Sequence, residues 1–334
     1  MRVFLIVLLF FVPAVALAAD SKDGTIVERE TYQFPSYEKA LQTTKIRDIT
    51  SKEEYERAVR DTNFEFQRLK YMSDGLKVTA YLYKPTRVNG SKLPAIIFNR
   101  GSFILGDIAP ELVSSFHRLA SEGFVVLAPM YRQSDGGEGR DEMGGGDIND
   151  LMNSVALAKS LGFIDVNNLF LYGESRGGVM TYLAIKKNFP ANAAAVYGAF
   201  TDMEALIKDT PEVHPPQLLN RIWPDFDSRK DEIFQSRSAI FWPESLTIPL
   251  LIMHGGADRG VNPSQSLTIA QKLQSLGKTY ELIIYAGDGH RLARKSRGSR
   301  PESSCVVQET HETVTHQNPA PKSFLVLVIP GILK

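Results

Sequence analysis

From Phe64 onward the apolar positions follow two regimes. Phe66 and Leu69, then Val78, Ala80 and Leu82, alternate with polar residues around Ser73, Asp74 and Gly75, the period-two pattern of an antiparallel hairpin. Beyond Asn89 and Gly90 the pattern changes to short apolar runs: Pro94–Phe98, Phe124–Ala128, Leu169–Tyr172, Ala193–Tyr197, Pro249–Met253 and Glu281–Tyr285. Runs of this length bounded by turn residues fit strands buried on both faces. Segments of helical period separate most of them. These are Glu111–Ser121, stopped by Gly123; a helix that Asp147 caps, with Ile148, Leu151, Met152, Val155 and Ala158 on one face, ending at Gly162; Val179–Lys187; and Pro263–Leu276. Strands alternating with helices predict an α/β fold, a doubly wound and mostly parallel sheet with helices on both faces.

Two stretches break the pattern. Residues 20–65 are a polar mix in which Ser51 and Glu54 form a capping box for a short helix running to about Arg60, and they read as an extension packing on the main domain. Thr201–Leu246 holds Pro211, Pro215, Pro216, Pro224, Pro243 and both tryptophans with no sustained period. Such an excursion is either a binding loop or a cover over one sheet edge, and Trp223, Phe226, Phe241 and Trp242 are the candidates for an apolar pocket wall.

The first residues address the compartment. Met1 and Arg2, the apolar run Val3–Val12 and the small residues Ala16 and Ala18 have the form of a secretory signal peptide cut after Ala18 or Ala19. The run is shorter than the ~20 residues that span a bilayer, so no membrane span is expected after cleavage. The expected location is extracytoplasmic, periplasmic or secreted. Cys305 is the only cysteine of the 334 residues, which excludes an internal disulfide. Lys+Arg and Asp+Glu are 38 each, so charge offers no reason to expect nucleic acid or an acidic membrane surface as a partner. The layout read from these features is a signal peptide over 1–19, an extension over 20–65, a main α/β domain over 66–297 and an atypical tail over 298–334.

The chemistry centres on Leu169–Gly178, LFLYGESRGG: strand, tight turn, helix, with Ser175 at the apex of a G-x-S-x-G pattern. A serine on so sharp a bend leaves room only for glycine two positions either side. Downstream, Pro249–Met253 runs into His254, Gly255, Gly256, Ala257 and Asp258, and Glu281–Tyr285 into Ala286, Gly287, Asp288, Gly289 and His290. Both place a titratable group just past the carboxyl end of a strand, where open α/β sheets assemble their sites. The order serine, acid, histidine is that of α/β-hydrolases, and assigns Ser175 as nucleophile, His290 as base and Asp258 as orienting acid. Asp288 competes as acid but lies too near His290 on the same loop to reach the distal ring nitrogen. The oxyanion donors are expected to be the Arg176 backbone N–H and a group from Asn99, Arg100, Gly101 and Ser102, with Asn99 favoured. His254 is expected to pack or hydrogen-bond locally. The Gly136–Gly146 loop lacks the Lys and Ser/Thr of a P-loop, and no H-E-x-x-H or cysteine–histidine cluster occurs, so neither cofactor nor metal is expected.

With these residues placed, the chain resembles the catalytic domain of the prolyl oligopeptidase family of serine peptidases, in particular its bacterial single-domain or dipeptidyl aminopeptidase-like members. The resemblance rests on SDGLKV at Ser73–Val78, FNRGS at Phe98–Ser102, GRDEMGGGDINDL at Gly139–Leu151, YGESRGG at Tyr172–Gly178, HGGADRGVNPSQS at His254–Ser266 and GDGH at Gly287–His290. It implies the same nucleophile, acid and base, the Arg176 N–H as oxyanion donor, and a short peptide or small amide as substrate. Three features depart from the family. Residues 20–65 are too few for the β-propeller of its larger members, which brings small esters into consideration beside peptides; Asn99 or a neighbour stands where several members offer a tyrosine hydroxyl to the oxyanion; and the polar, proline-bearing sequence past Arg297 stands where an amphipathic helix usually covers the sheet. A hydrolytically silent binding module of the same fold is the reading from a different class.

Overall fold

The structure is a computed structural model that describes residues 22–102 and 106–290. The expected signal peptide over 1–19 and the 298–334 tail lie outside the described residues. In chain order the elements are β1 (Ile26–Thr31), α1 (Tyr37–Thr43), α2 (Lys52–Arg60), β2 (Phe64–Ser73), β3 (Leu76–Pro85), β4 (Leu93–Asn99), α3 (Ala109–Ser121), β5 (Val125–Pro129) and α4 (Ile148–Ser160). They continue with β6 (Ile164–Glu174), α5 (Arg176–Lys186), β7 (Ala193–Tyr197), α6 (Met203–Asp209), α7 (Pro216–Ile222), α8 (Phe226–Arg237), β8 (Leu250–Gly255), α9 (Ser264–Ser275) and β9 (Tyr280–Tyr285). Among the described residues one sheet runs in the order β1-β2-β3-β5-β4-β6-β7-β8-β9, antiparallel from β1 to β5 and parallel from β5 to β9. This is the α/β-hydrolase fold.

The unbroken apolar runs follow from this topology. Side chains alternate across a strand, so Ala95 and Ile97 face one core while Ile96 and Phe98 face the other. The first core is closed by α4, α5 and α9 through Leu151, Leu157, Met180, Leu183, Ile269 and Leu273. The second is closed by α3 through Val113 and Phe116, joined by Ala40 of α1 and Tyr55 and Ala58 of α2. Covering both faces is what keeps a parallel sheet out of water.

The extension is more closely integrated than packing implies. β1 pairs antiparallel with β2, from Ile26 opposite Tyr71 to Thr31 opposite Gln67, so residues 20–65 share the sheet of the main domain. This strand escapes sequence reading because it lies at a solvated edge and needs no apolar alternation. The expected capping box is present, Ser51 Oγ accepting the Glu54 N–H.

Thr201–Leu246 is helical rather than irregular. The short helices α6, α7 and α8 begin at breaks in the pattern, α7 with Pro216 in its first turn and α8 kinked at Arg229. Trp223, Phe226 and Trp242 are buried in the first core, so they cover the sheet; Phe241 is 54% exposed, and none of the four lines the pocket at Ser175. Asp147 precedes α4 without capping it. Its carboxylate accepts the N–H groups of Gly144 at 3.0 Å and Gly145 at 2.9 Å and the Arg176 Nη2 at 2.9 Å, because a buried carboxylate is best stabilised by a cation and several donors together. Among the described residues no helix is long and apolar enough to cross a membrane.

Candidate active site

β6 ends at Glu174 and α5 begins at Arg176, so Ser175 alone makes the turn, with φ 53° and ψ −119°. Backbone strain of this kind costs about 1–3 kcal/mol and persists only where the surroundings hold it. Close packing does so here. A Cβ on Gly173 would stand 2.3 Å from the Gly177 carbonyl oxygen, and one on Gly177 would stand 1.9 Å from that of Asn99. The Ser175 N–H donates to the Tyr197 carbonyl at 2.8 Å, tying the turn to the end of β7.

Three loops meet at this edge of the sheet. The His290 Nδ1 is 2.8 Å from Asp258 Oδ2, and its Nε2 is 2.9 Å from Ser175 Oγ. A carboxylate only accepts, so Nδ1 bears the hydrogen and Nε2 is left to accept the serine hydroxyl's proton. The histidine loop is anchored by the Tyr197 hydroxyl, which donates to the Gly289 carbonyl at 2.9 Å. The Asp288 carbonyl accepts the Ala257 N–H at 2.9 Å, so Asp288 joins the two loops through its backbone, and the His290 ring faces Asp258.

Asp258 has more partners than the triad requires. Its Oδ1 accepts the N–H groups of Gly260 at 2.8 Å and Val261 at 2.9 Å. Its Oδ2 also lies 3.2 Å from Nε2 of the fully buried His254. That nitrogen faces the Val261 carbonyl at 2.9 Å as well, so it bears the ring hydrogen, and His254 Nδ1 accepts from the Ser266 hydroxyl at 2.7 Å. Burial pushes the Asp258 carboxyl up, but His254, His290 and the Val261 N–H outweigh it and hold the group well below the usual carboxylate range. The local bonding expected of His254 is therefore joined by a contact with the acid, for which the only sequence signal is a histidine four positions before it.

A pocket of about 140 Å³ opens at Ser175 and His290. Its apolar wall comes from Phe98 and Tyr172 on the sheet, Ile108, Leu112 and Leu119 in and beside α3, and Ile49 of the extension; Glu111, Arg118 and Glu174 add charge. Asn99 is not part of it. The Asn99 side chain is fully buried, donating to Thr181 Oγ1 at 2.9 Å and accepting from the Tyr131 hydroxyl at 3.4 Å, so the expected oxyanion role does not hold. A side chain on β4 that points into the core is satisfied there, whereas Arg100, Gly101 and Ser102 beyond the strand line the pocket. Arg176 starts α5, where helix N–H groups point out of the helix end towards developing negative charge.

Behind the serine lies a buried charged network. The Arg176 guanidinium meets Asp141 through two bonds of 2.6 Å and Asp147 at 2.9 Å. Burial disfavours the Arg176 cation, and the two carboxylates overcome it and push its pKa up. Arg100, 3.8 Å from Asp141, is pushed down to about 10 by burial and by Arg176 beside it, and stays cationic at neutral pH. Arg176 and Asp141 are 35 positions apart, so no local pattern announces the pair.

The model of the prolyl oligopeptidase family matches residues 110–305, a span that contains all three loops and ends inside the 298–334 segment. The chain belongs to the prolyl oligopeptidase family. It is a serine peptidase of that family. The uncharacterized peptidase YtmA of Bacillus subtilis is 28% identical over 222 residues, 66% of this chain and 84% of YtmA. Two solved structures share the fold: a Mycobacterium tuberculosis puromycin-hydrolyzing peptidase (TM-score 0.56, 24% identity, 65% of this chain and 34% of that one) and an acylaminoacyl peptidase in complex with Z-Gly-Gly-Phe-chloromethyl ketone (TM-score 0.58, 21% identity, 71% and 39%). The chain thus spans most of YtmA and little more than a third of either structural neighbour.

Proposed function

We propose that this serine peptidase acts outside the cytoplasm on short peptides or small amides through an acyl-enzyme on Ser175. The observation that carries the reading is the single imidazole of His290 within 2.9 Å of the serine oxygen and 2.8 Å of a carboxylate. His290 Nε2 takes the hydroxyl proton as Ser175 Oγ bonds to the substrate carbonyl carbon. The resulting oxyanion is met by the Arg176 N–H, and Asp258 stabilises the imidazolium. Collapse breaks the bond to the leaving amine, which receives the proton from Nε2, and water then repeats the sequence to free the acid and restore Ser175. The pocket beside the serine combines an apolar wall with the charged Glu111, Arg118 and Glu174, which supports a short substrate that presents both apolar and polar groups next to the scissile bond.

Labelling by a fluorophosphonate tests the assignment, with Ser175 expected as the modified residue and folded but unlabelled protein counting for a silent binding module. Paired assays with aminoacyl amides and short acyl esters separate the substrate classes, and turnover confined to esters would overturn the peptide reading. Secretion rests on the Met1–Ala19 leader. Mass spectrometry of protein recovered from outside the cytoplasm is expected to find an amino terminus at Ala19 or Asp20; an intact Met1 would refute it.

A further inference from the structure

The loop after β4 is gripped from behind by two guanidinium groups. Arg100 Nη1 donates to the carbonyls of Gly101 at 3.1 Å and Ser102 at 2.7 Å, and Arg176 Nη1 reaches the same Ser102 carbonyl at 3.2 Å. Neither cation is loose. Arg100 is tied to the Met130 carbonyl at 3.2 and 3.0 Å, Arg176 to Asp141 and Asp147, and the Tyr131 ring lies 5.1 Å from one guanidinium and 4.8 Å from the other. What they hold is strained backbone, since Ser102 sits at φ 62°.

A trans peptide is planar, with its C=O and N–H on opposite sides. Pinning the Gly101 carbonyl to the buried Arg100 therefore turns the Ser102 N–H away from that guanidinium, and Ser102 lines the pocket together with Ser175 and His290. Among the described residues no hydrogen bond uses that N–H. The loop also lies against the nucleophile: a Cβ on Gly101 would stand 3.3 Å from Ser175 Cβ.

We infer that the Ser102 N–H is the second oxyanion donor and that the Arg100 and Arg176 guanidinium groups are positioning residues that aim it. Arg176 then serves the oxyanion from both sides, its own N–H beside Ser175 and its side chain holding the opposite donor. Asp141 and Asp147, from the glycine-rich loop before α4, fix the guanidinium that does so. The inference deepens the proposed acyl-transfer reading and rests on it. Donors aimed in advance act on the charge that develops in the transition state and little on the ground state, so loosening the clamp lowers kcat and leaves KM nearly alone.

The test compares wild type with Arg176→Lys and Asp141→Asn, and with a protein whose residue 102 is the α-hydroxy counterpart of serine, an ester that deletes the N–H and weakens the Gly101 carbonyl as acceptor. A second ester at residue 103, which weakens the Ser102 carbonyl but keeps the Ser102 N–H, controls for the carbonyl effect. Wild type is first labelled at Ser175 by a fluorophosphonate, so a failure of the hydrolase reading shows in the parent and a failure of the clamp only in the altered proteins. The expected result is a fall in kcat of roughly 10-fold for the side-chain variants and about 100-fold for the ester at residue 102, with KM within about threefold. Affinity for a trifluoromethyl ketone, which forms a tetrahedral adduct, should fall in parallel while inhibition by the carboxylate product stays constant. Wild-type kcat in the protein with the ester at residue 102 overturns the donor assignment. Side-chain variants that lose thermal stability yet keep wild-type kcat per labelled site reduce the clamp to an ordinary structural network. If both side-chain variants fail to fold, the protein with the ester at residue 102 still decides, because the N–H it removes has no hydrogen-bond partner among the described residues.

Discussion

Asp258 is held by four donors, two imidazoles on one oxygen and two backbone N–H groups on the other. Replacing it with Asn keeps the shape but presents an amide to His290 Nδ1 and favours the wrong tautomer, and kcat is expected to fall by about 10³–10⁴-fold with KM little changed in steady-state assays. The same residue sets a pH dependence. A carboxylate whose folded pKa lies below its ordinary value of 3.8 stabilises the fold fully above that pH, and the contribution fades as pH falls through it towards the folded value. Denaturant titrations from about pH 5 to about pH 2 should therefore show wild type losing stability that Asp258→Asn does not lose, so their unfolding free energies converge on acidification. Parallel curves would show that Asp258 has no such coupling.

Among the elements, the strand–turn–helix around Ser175 and the extension make separate demands. The turn requires atoms to be absent, as the 1.9 Å approach of a Gly177 Cβ to the Asn99 oxygen shows. Gly177→Ala is expected to cost more than about 4 kcal/mol and to yield insoluble or unfolded protein by circular dichroism. The extension contributes α1 and α2 to a core, the Lys45 N–H to Glu111 Oε1 at 2.9 Å, and Ile49 to the pocket wall. Ile49→Ala removes apolar wall without disturbing the triad. It should shift kcat/KM about tenfold towards substrates with bulkier acyl or side-chain groups in a homologous series; an unchanged ranking would place Ile49 outside the substrate's reach.

Across the whole molecule, buried charge joins what hydrophobic packing leaves separate. Asp150 of α4 accepts from Arg132 at 2.8 and 3.0 Å and from Ser73 at 2.7 Å, while its carbonyl takes the Tyr71 hydroxyl at 2.6 Å, so helix, hairpin and the β5 loop converge on one side chain. Burial raises the Asp150 pKa although Arg132 pulls it down. Removing Asp150 leaves the buried Arg132 cation with Asp74, at 3.1 Å, as its remaining carboxylate partner among the described residues. Asp150→Ala should destabilise by about 3–5 kcal/mol and lower Tm by roughly 10 °C in a thermal scan, and a loss under about 1 kcal/mol would show that water reaches the site.

The sheet strands after β1 and the positions of Ser175, Asp258 and His290 are legible in the chain, because apolar periodicity and glycine-bounded turns are local consequences of burial, whereas the order of the strands in the sheet is not. The solvated strand β1, the short helices α6 to α8 and the pocket duty of Ile49 are not, since an edge strand needs no apolar face and a brief helix shows no full period. Asn99 marks the boundary most clearly. Its place in the β4 loop region is a matter of sequence, but which way its side chain points depends on where Thr181 and Tyr131 come to rest. The amino-acid order determined the fold class and the reacting groups, each readable over a few residues. Only tertiary structure decided which donors surround those groups, because Arg176 meets Asp141 across 35 positions and Asn99 meets Thr181 across 82, pairings that no local pattern announces.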